Sequence, residues 1–196
     1  MTKVRTVFIT VLFAAAAALP ARAQQPAAPS PTGGFQIGYN FSHVSPEQPG
    51  QDVSVLPGLF IGGYMLFPAS TAVGIQAEVV YEQKGSNFSS TQAVKIDYIE
   101  VPVLAKLKLF RSVYLLDGVG FAFPVSATYS VMGQADTDVK STTTSPDVSV
   151  IIAGGLPIHR VDLELRFDGG FRTISSATAA PVERNRSWTV VGRFPL

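Results

Sequence analysis

The chain has 196 residues, 15% of them charged, a formal net charge of +1 and no cysteine. Its charge content falls short of the ~25% usual in soluble domains, and without cysteine there is no disulfide framework, zinc-thiolate centre or cysteine nucleophile. No cluster of Lys and Arg offers a nucleic-acid footprint.

Residues 1–23 read as a secretory leader. Lys3 and Arg5 are the basic start, residues 6–19 the apolar stretch, and Ala21-Arg22-Ala23 an A-x-A cleavage site. The apolar stretch is shorter than the ~20 residues that cross a bilayer. Cleavage before Gln24 removes Lys3, Arg5 and Arg22 and no acid, so 12 bases face 14 acids, a formal net of −2. Residues 24–32, with Pro26, Pro29 and Pro31, read as an extended periplasmic linker ahead of a barrel domain at 33–196. No later segment is long and apolar enough to be a spanning helix. A membrane protein of this composition has to be a closed barrel, the other structure that satisfies every backbone hydrogen bond in lipid.

Eight strands are expected, each alternating between two faces. The first, residues 35–43, sets Phe35, Ile37, Tyr39 and Phe41 against Gln36, Gly38, Asn40 and Ser42. The second, 53–67, is long, Gly-rich and less regular. In the third, 72–84, Val73, Ile75, Ala77, Val79 and Tyr81 oppose Gly74, Gln76, Glu78, Glu82 and Lys84. In the fourth, 95–109, Ile99, Val101, Val103, Ala105, Leu107 and Leu109 oppose Glu100, Lys106 and Lys108. In the fifth, 113–129, Val119, Phe121, Phe123 and Val125 oppose Gly118, Gly120, Ala122 and Ser126. The sixth is 148–156. The seventh, 161–170, interleaves Val161, Leu163, Leu165 and Phe167 with Asp162, Glu164, Arg166 and Asp168. In the eighth, 187–196, Trp188, Val190, Phe194 and Leu196 oppose Ser187, Thr189 and Arg193.

The links alternate in length. Those at 68–71, 110–112 and 157–159 are tight, whereas 45–52, 85–93, 130–146 and 171–186 are longer and polar. Short turns at one end and long loops at the other is the outer-membrane arrangement, with the long loops outside the cell. Pro57, Pro102 and Pro124 fall inside strands and predict bulges, because proline removes a ladder hydrogen bond. Asp117 falls on the lipid-facing parity, which predicts a further bulge near Asp117-Gly118 that resets it.

Alternation also suits a soluble barrel turned inside out, with the apolar face within. Here the ionic face is also the face of Gly, Ser and Ala, which suit a cramped eight-stranded interior. The apolar face carries Phe35, Tyr39, Phe41, Tyr81, Phe121, Phe167, Trp188 and Phe194, as aromatic girdles do. The charges then point inward: Glu78, Glu82, Glu100, Asp162, Glu164 and Asp168 against Lys84, Lys106, Lys108, Arg166 and Arg193. Six acids against five bases predicts a paired network that plugs the lumen.

At the third and fourth strands the run Tyr81-Glu82-Gln83-Lys84-Gly85, followed by Tyr98-Ile99-Glu100-Val101-Pro102-Val103-Leu104-Ala105-Lys106, resembles the central signature of the PorT-type outer-membrane β-barrel family. Ala153-Gly154-Gly155 and Glu164-Leu165-Arg166-Phe167 are similar to that family's following strands. The resemblance implies an eight-stranded outer-membrane barrel without a defined activity. The ending Phe194-Pro195-Leu196 keeps an apolar-x-apolar pattern but lacks the terminal aromatic common in clients of the barrel-insertion machinery, the partner expected during biogenesis.

Three stretches of the sequence bear on enzymatic chemistry. His43-Val44-Ser45, with Glu82 or Glu47 as the acid, resembles the arrangement of outer-membrane lipid A deacylases, against the plain reading of a loop-edge histidine. Asp97 and Asp168 resemble the rim acids of omptin proteases but lack a neighbouring histidine, and His159 sits in a tight turn. Gly118-Val119-Gly120 lies within a strand and opens no phosphate-binding helix. No metal-ligand spacing and no cofactor motif is present. Arg172, Arg184 and Arg186 bias the last loop toward lipopolysaccharide phosphates. The expectation is a monomeric, non-enzymatic, antiparallel up-and-down transmembrane barrel in the outer membrane, acting structurally or through its extracellular loops. The alternatives are a narrow channel for small solutes or apolar compounds, a lipid hydrolase, and a soluble periplasmic barrel.

Overall fold

The computed structural model describes residues 29–46, 54–110, 113–172, 174 and 183–196. The expected leader, and the linker before residue 29, lie outside the described residues. The strands are β1 (Thr32–Pro46), β2 (Ser54–Pro68), β3 (Val73–Ser89), β4 (Gln92–Phe110), β5 (Val113–Val131), β6 (Thr137–Asp138), β7 (Asp147–Ile158), β8 (Val161–Gly170) and β9 (Glu183–Pro195). All but the two-residue β6 pair antiparallel on both sides, and β9 returns to β1, so eight strands close into a barrel. β6 is an appendage that pairs Thr128 with Asp138 on β5.

The period of two decides the two faces. Val79 is 58% exposed, while its neighbour Glu78 is 2% exposed. Phe35, Ile37, Tyr39 and Phe41 are exposed on β1, and Gln36, Asn40 and Ser42 between them are buried. The apolar face is therefore the outer one, the reverse of a soluble lipocalin-type barrel. Phe35, Tyr39, Phe41, Phe121 and Trp188 are exposed on it. Tyr81, Phe167 and Phe194 are half-buried on the same side. Phe35 stacks on Phe194 at 4.9 Å between ring centroids, and Phe167 tilts against Trp188 at 5.0 Å. Among the described residues no helix is long and apolar enough to cross a membrane, so any crossing is made by the strands.

One end of the barrel carries tight turns. After β2 the amides of Ala69 and Ser70 donate to the Val73 carbonyl, and Ser70 Oγ accepts from the amides of Ala72 and Val73. His159, at φ +59°, takes the left-handed position of the β7–β8 turn. At the other end the link expected at 85–93 is mostly strand. β3 and β4 stay paired to Ser89–Gln92, leaving Ser90 and Thr91 as the turn. Polar residues there extend a hairpin beyond the apolar band, so polarity marked the end of lipid contact and not the end of the strand. The links expected at 45–52 and 171–186 lie partly outside the described residues.

The proline expectations divide. The β2–β3 register shifts between Val55 and Phe60, around Pro57. Asp97 pairs with Ser126 and Tyr98 with Pro124, so Val125 is the extra residue of a bulge. This bulge turns Ser126 outward, against the expected parity. Pro102 causes no bulge: Ala77↔Val103 and Val80↔Glu100 keep one register across the interrupted ladder. Nor does Asp117, which pairs with Ala105 and Ile152 in uninterrupted register and faces outward between Leu115 and Val119.

The interior is less uniformly polar than the sequence pattern implies. Phe60, Val80 and Val191 form one buried apolar cluster, and Leu104, Tyr114, Leu116, Ile151 and Ala153 another. Gly155 makes room for Tyr114: a Cβ there would fall within the phenol ring. Because Asp117 presents a carboxylate on the apolar wall, Asp117→Leu is expected to stabilise the barrel in lipid by on the order of 1 kcal/mol. Urea unfolding in bilayers measures it.

Candidate functional site

The lumen is the only enclosed polar region that the described strands build, and its charges lie at distinct levels. β3 and β8 rise from the tight-turn end, whereas β4, β7 and β9 descend to it. Residues far apart in sequence therefore meet at one height.

The lower level joins Glu78 of β3 and Glu164 and Arg166 of β8 with Arg193 of β9. The Arg166 guanidinium takes Glu78 in a two-pronged grip, Nη1 to Oε2 and Nη2 to Oε1, both 3.0 Å. It also donates to Glu164 through Nε at 3.2 Å and Nη2 at 3.0 Å. Arg193 reaches Glu78 Oε1 at 2.5 Å and Glu164 Oε2 at 3.1 Å. Gln36 and Gln76 donate to Glu78, and the Tyr114 hydroxyl donates to Glu164. Phe60 and Tyr64 lie under the guanidinium groups of Arg166 and Arg193 at 5.2 and 4.8 Å. All four charged side chains are no more than 2% exposed. Two acids and two bases leave this level neutral.

The upper level centres on Lys84 of β3. Its Nζ lies 2.5 Å from Asp168, 3.0 Å from Glu82 and 3.8 Å from Glu100. Asn40 Nδ2 donates to Glu82 at 2.7 Å, and Ser149 Oγ donates to Glu100 at 3.3 Å. Gly120 matters here, because a Cβ would strike the Glu100 carboxylate and Ser149 Oγ. Above this level Asn185 donates to Asp147 at 2.8 Å and to the Tyr98 hydroxyl at 3.2 Å.

Among the described residues an apolar cluster lies toward the outer end. Ile174 packs with Ile96, Tyr98, Ala122 and Ala127, and Val94 and Val139 lie against them. The Thr144 amide holds the Ile174 carbonyl at 2.7 Å, and the Val139 amide holds that of Ala127 at 3.0 Å.

Of the eleven charges assigned to one internal network, eight meet in these two levels: Glu78, Glu82, Lys84, Glu100, Glu164, Arg166, Asp168 and Arg193. Lys106, Lys108 and Asp162 do not. They line an open cavity of about 350 Å³ at the tight-turn mouth, beside Tyr114, Leu66 and residues 29–32. Lys106 sits over the Tyr114 ring at 3.9 Å, and Lys108 is exposed. The reason is length: β4 runs past the filled part of the lumen, so its last inward lysines reach the mouth. Asp147 is the interior acid that the pattern missed, because it stands one residue before the expected sixth strand. The buried charges are therefore six acids and three bases among the described residues, and the expected near-balance does not hold.

Among the described residues no enzymatic constellation is assembled. His43 is half-buried and pairs through its backbone with Arg186. The Ser45 side chain and Glu47 lie outside the described residues, and Glu82 is held by Lys84 and Asn40. Asp97 accepts from Gln83 on the outer face, while Asp168 is inside, so the two acids are on opposite sides of the wall. His159 is exposed at the tight-turn end. The interior polar groups Gln36, Asn40, Ser42, Gln76, Ser187 and Thr189 were legible only as the parity partners of apolar residues, and Ser86, Ser149 and Asn185 were not assigned a face.

A closed eight-stranded wall, apolar without and ionic within, has a counterpart among known families. The model described as the outer membrane protein beta-barrel domain matches residues 24–176. The chain belongs to that family. Solved structures of similar fold include Ail, the attachment invasion locus protein of Yersinia pestis, at 15% identity and TM-score 0.50, over 84% of this chain and 98% of that one. Neisserial surface protein A matches at 10% identity and TM-score 0.52, over 85% and 99%. Ail in complex with the heparin analogue sucrose octasulfate matches at 15% identity and TM-score 0.50, over 85% and 99%. No curated protein matches the chain. At these identities the likeness is one of fold.

In this barrel Arg166→Met removes one of the two cations that Glu78 and Glu164 share with Arg193, leaving one negative charge in excess. It is expected to cost about 3–5 kcal/mol, the price of an uncompensated buried charge. The double variant Glu78→Gln/Arg166→Met is expected to recover part of that loss. Urea unfolding in detergent micelles reads both.

Proposed function

We propose that this outer-membrane barrel has no catalytic role and no open pore, and acts as a structural and surface-interaction protein through its extracellular side. The observation that carries the reading is the filled lumen: an apolar cluster at Ile174, the Lys84 level and the Arg166–Arg193 level lie one below another. Water and solutes would have to part each in turn. The Tyr81–Gly85 and Tyr98–Lys106 runs support placing the chain with PorT-type barrels, and the expected leader would deliver it to the outer membrane as a cleaved, monomeric protein. Purified protein in planar bilayers is expected to give no steady single-channel conductance, and liposomes holding it are not expected to swell in small sugars. Steady conductance would favour the narrow-channel reading.

The surface it meets is lipid phosphate. On the outer face of β9, Trp188 is followed upward by Arg186 and Arg184, all three exposed. Arg172, also exposed, donates to the Pro146 carbonyl nearby. An aromatic residue below two guanidinium groups matches the step from acyl chain to headgroup, and guanidinium is suited to grip phosphate. Ail, a barrel of similar fold, is known in complex with a sulfated polyanion. Lipopolysaccharide phosphate is the corresponding ligand proposed here. Arg184→Ala/Arg186→Ala is expected to weaken association with lipopolysaccharide-containing vesicles by about thirtyfold, about 1 kcal/mol for each arginine. The difference should shrink as salt is raised.

A further inference from the structure

The lower charge level is neutral and the upper one is not. Glu82, Glu100 and Asp168 each offer a carboxylate oxygen, and these atoms lie within 4.8 Å of one another. None of the three residues is more than 4% exposed. Among the described residues Lys84 is the one cation at ion-pair distance from them. With all three carboxyl groups ionised, three negative charges face the one positive charge of Lys84, an excess of two inside a wall where charge is stable only in company.

Two buried neutral side chains adjoin the same acids. Asn40 is fully buried; its Nδ2 serves Glu82, but its Oδ1 has no hydrogen-bond partner. Ser187, 1% exposed, is the cross-strand partner of Asp168 and faces the lumen beside it, and its Oγ also has no partner. Buried oxygens left bare are uncommon, because each forfeits its solvation.

We propose that the Lys84 level binds one hard divalent cation of the calcium or magnesium type. Glu82, Glu100 and Asp168 are the anionic ligands, and Asn40 Oδ1 and Ser187 Oγ the neutral ones. A charge of +2 cancels the excess of two. A donor set of oxygens alone, without histidine or cysteine, favours hard cations. The ligands come from β1, β3, β4, β8 and β9, so no spacing in the sequence reveals them, and a bound ion ties five strands together. Lys84 shares the site. Its flexible stem lets the ammonium withdraw to the edge as the ion enters, and its charge holds the affinity down.

The full chain, folded in detergent micelles, is titrated with terbium and then with calcium or magnesium alone. Terbium luminescence is expected to saturate at one ion per barrel, sensitised by Tyr98, whose ring centre is 5.9 Å from Lys84 Nζ, and excess calcium reverses it. Elemental analysis of protein refolded with calcium and dialysed should find one calcium per chain. Glu100→Gln and Asp168→Asn are each expected to weaken binding about tenfold, as a ligand charge is lost. Lys84→Met should tighten binding, a direction that a purely structural lysine does not produce. Ser187→Ala, which changes no charge, should weaken it severalfold and serves where a carboxylate variant does not fold. Absence of a stoichiometric ion in the unaltered protein overturns the proposal and leaves protons to balance the acids. So does a stoichiometric ion whose affinity ignores Glu100, Asp168 and Ser187.

Discussion

The grip of Arg166 and Arg193 on Glu78 and Glu164 is the interaction on which the rest of the barrel depends. Each of these charges has left water, a loss that pairing repays only when the geometry is good and the remaining polar atoms are served. Here Arg166 binds Glu78 with two prongs, and Gln36, Gln76 and Tyr114 donate further hydrogen bonds to the same carboxylates. The partners lie 88 and 115 residues apart in sequence. They can meet only after β3, β8 and β9 have closed around them. The same contacts that neutralise the interior therefore report that the wall is complete.

Closure also explains why the wall can be so apolar on its outer side. Every inward position must be filled by something compact or something paired, and the outer positions are left to face lipid. Where the interior narrows, Gly155 and Gly120 admit Tyr114 and Glu100. Where it would otherwise be empty, Phe60, Leu104, Leu116 and Ile151 fill it. In the proposed reading, contact with the surroundings falls to the lipid-facing surface and the outer rim, where the step from Trp188 to Arg186 and Arg184 sits.

The two charge levels differ in a way that local chemistry explains. Arginine offers several donors in a fixed fork and can hold two carboxylates at once, so two arginines settle the lower level. Lysine offers one compact charge. Placed among three carboxylates, Lys84 cannot satisfy them all, and Glu100 is left at 3.8 Å. The imbalance is therefore built into the choice of Lys84 at that position.

Much of the fold was legible in the sequence because a strand's side chains alternate strictly. The run Val161 to Asp168 alone separates an outer face from an inner one, and repetition of that rhythm, with tight turns at one end, is enough to call for an eight-stranded barrel. Parity likewise picked out eight of the interior charges. Height along the barrel is a different matter, since it depends on strand length and stagger across neighbours. That is why Lys106, Lys108 and Asp162 carry interior parity yet stand at the mouth, and why Asp147 went unseen. The bulge at Val125 and the unbroken register at Pro102 and Asp117 were settled by cross-strand pairing. The sequence determined which side of the wall most residues take, Ser126 at the Val125 bulge excepted, because that follows from the backbone's period of two. Only the tertiary structure decided which charges share a level, because that depends on where eight staggered strands bring distant residues to the same height.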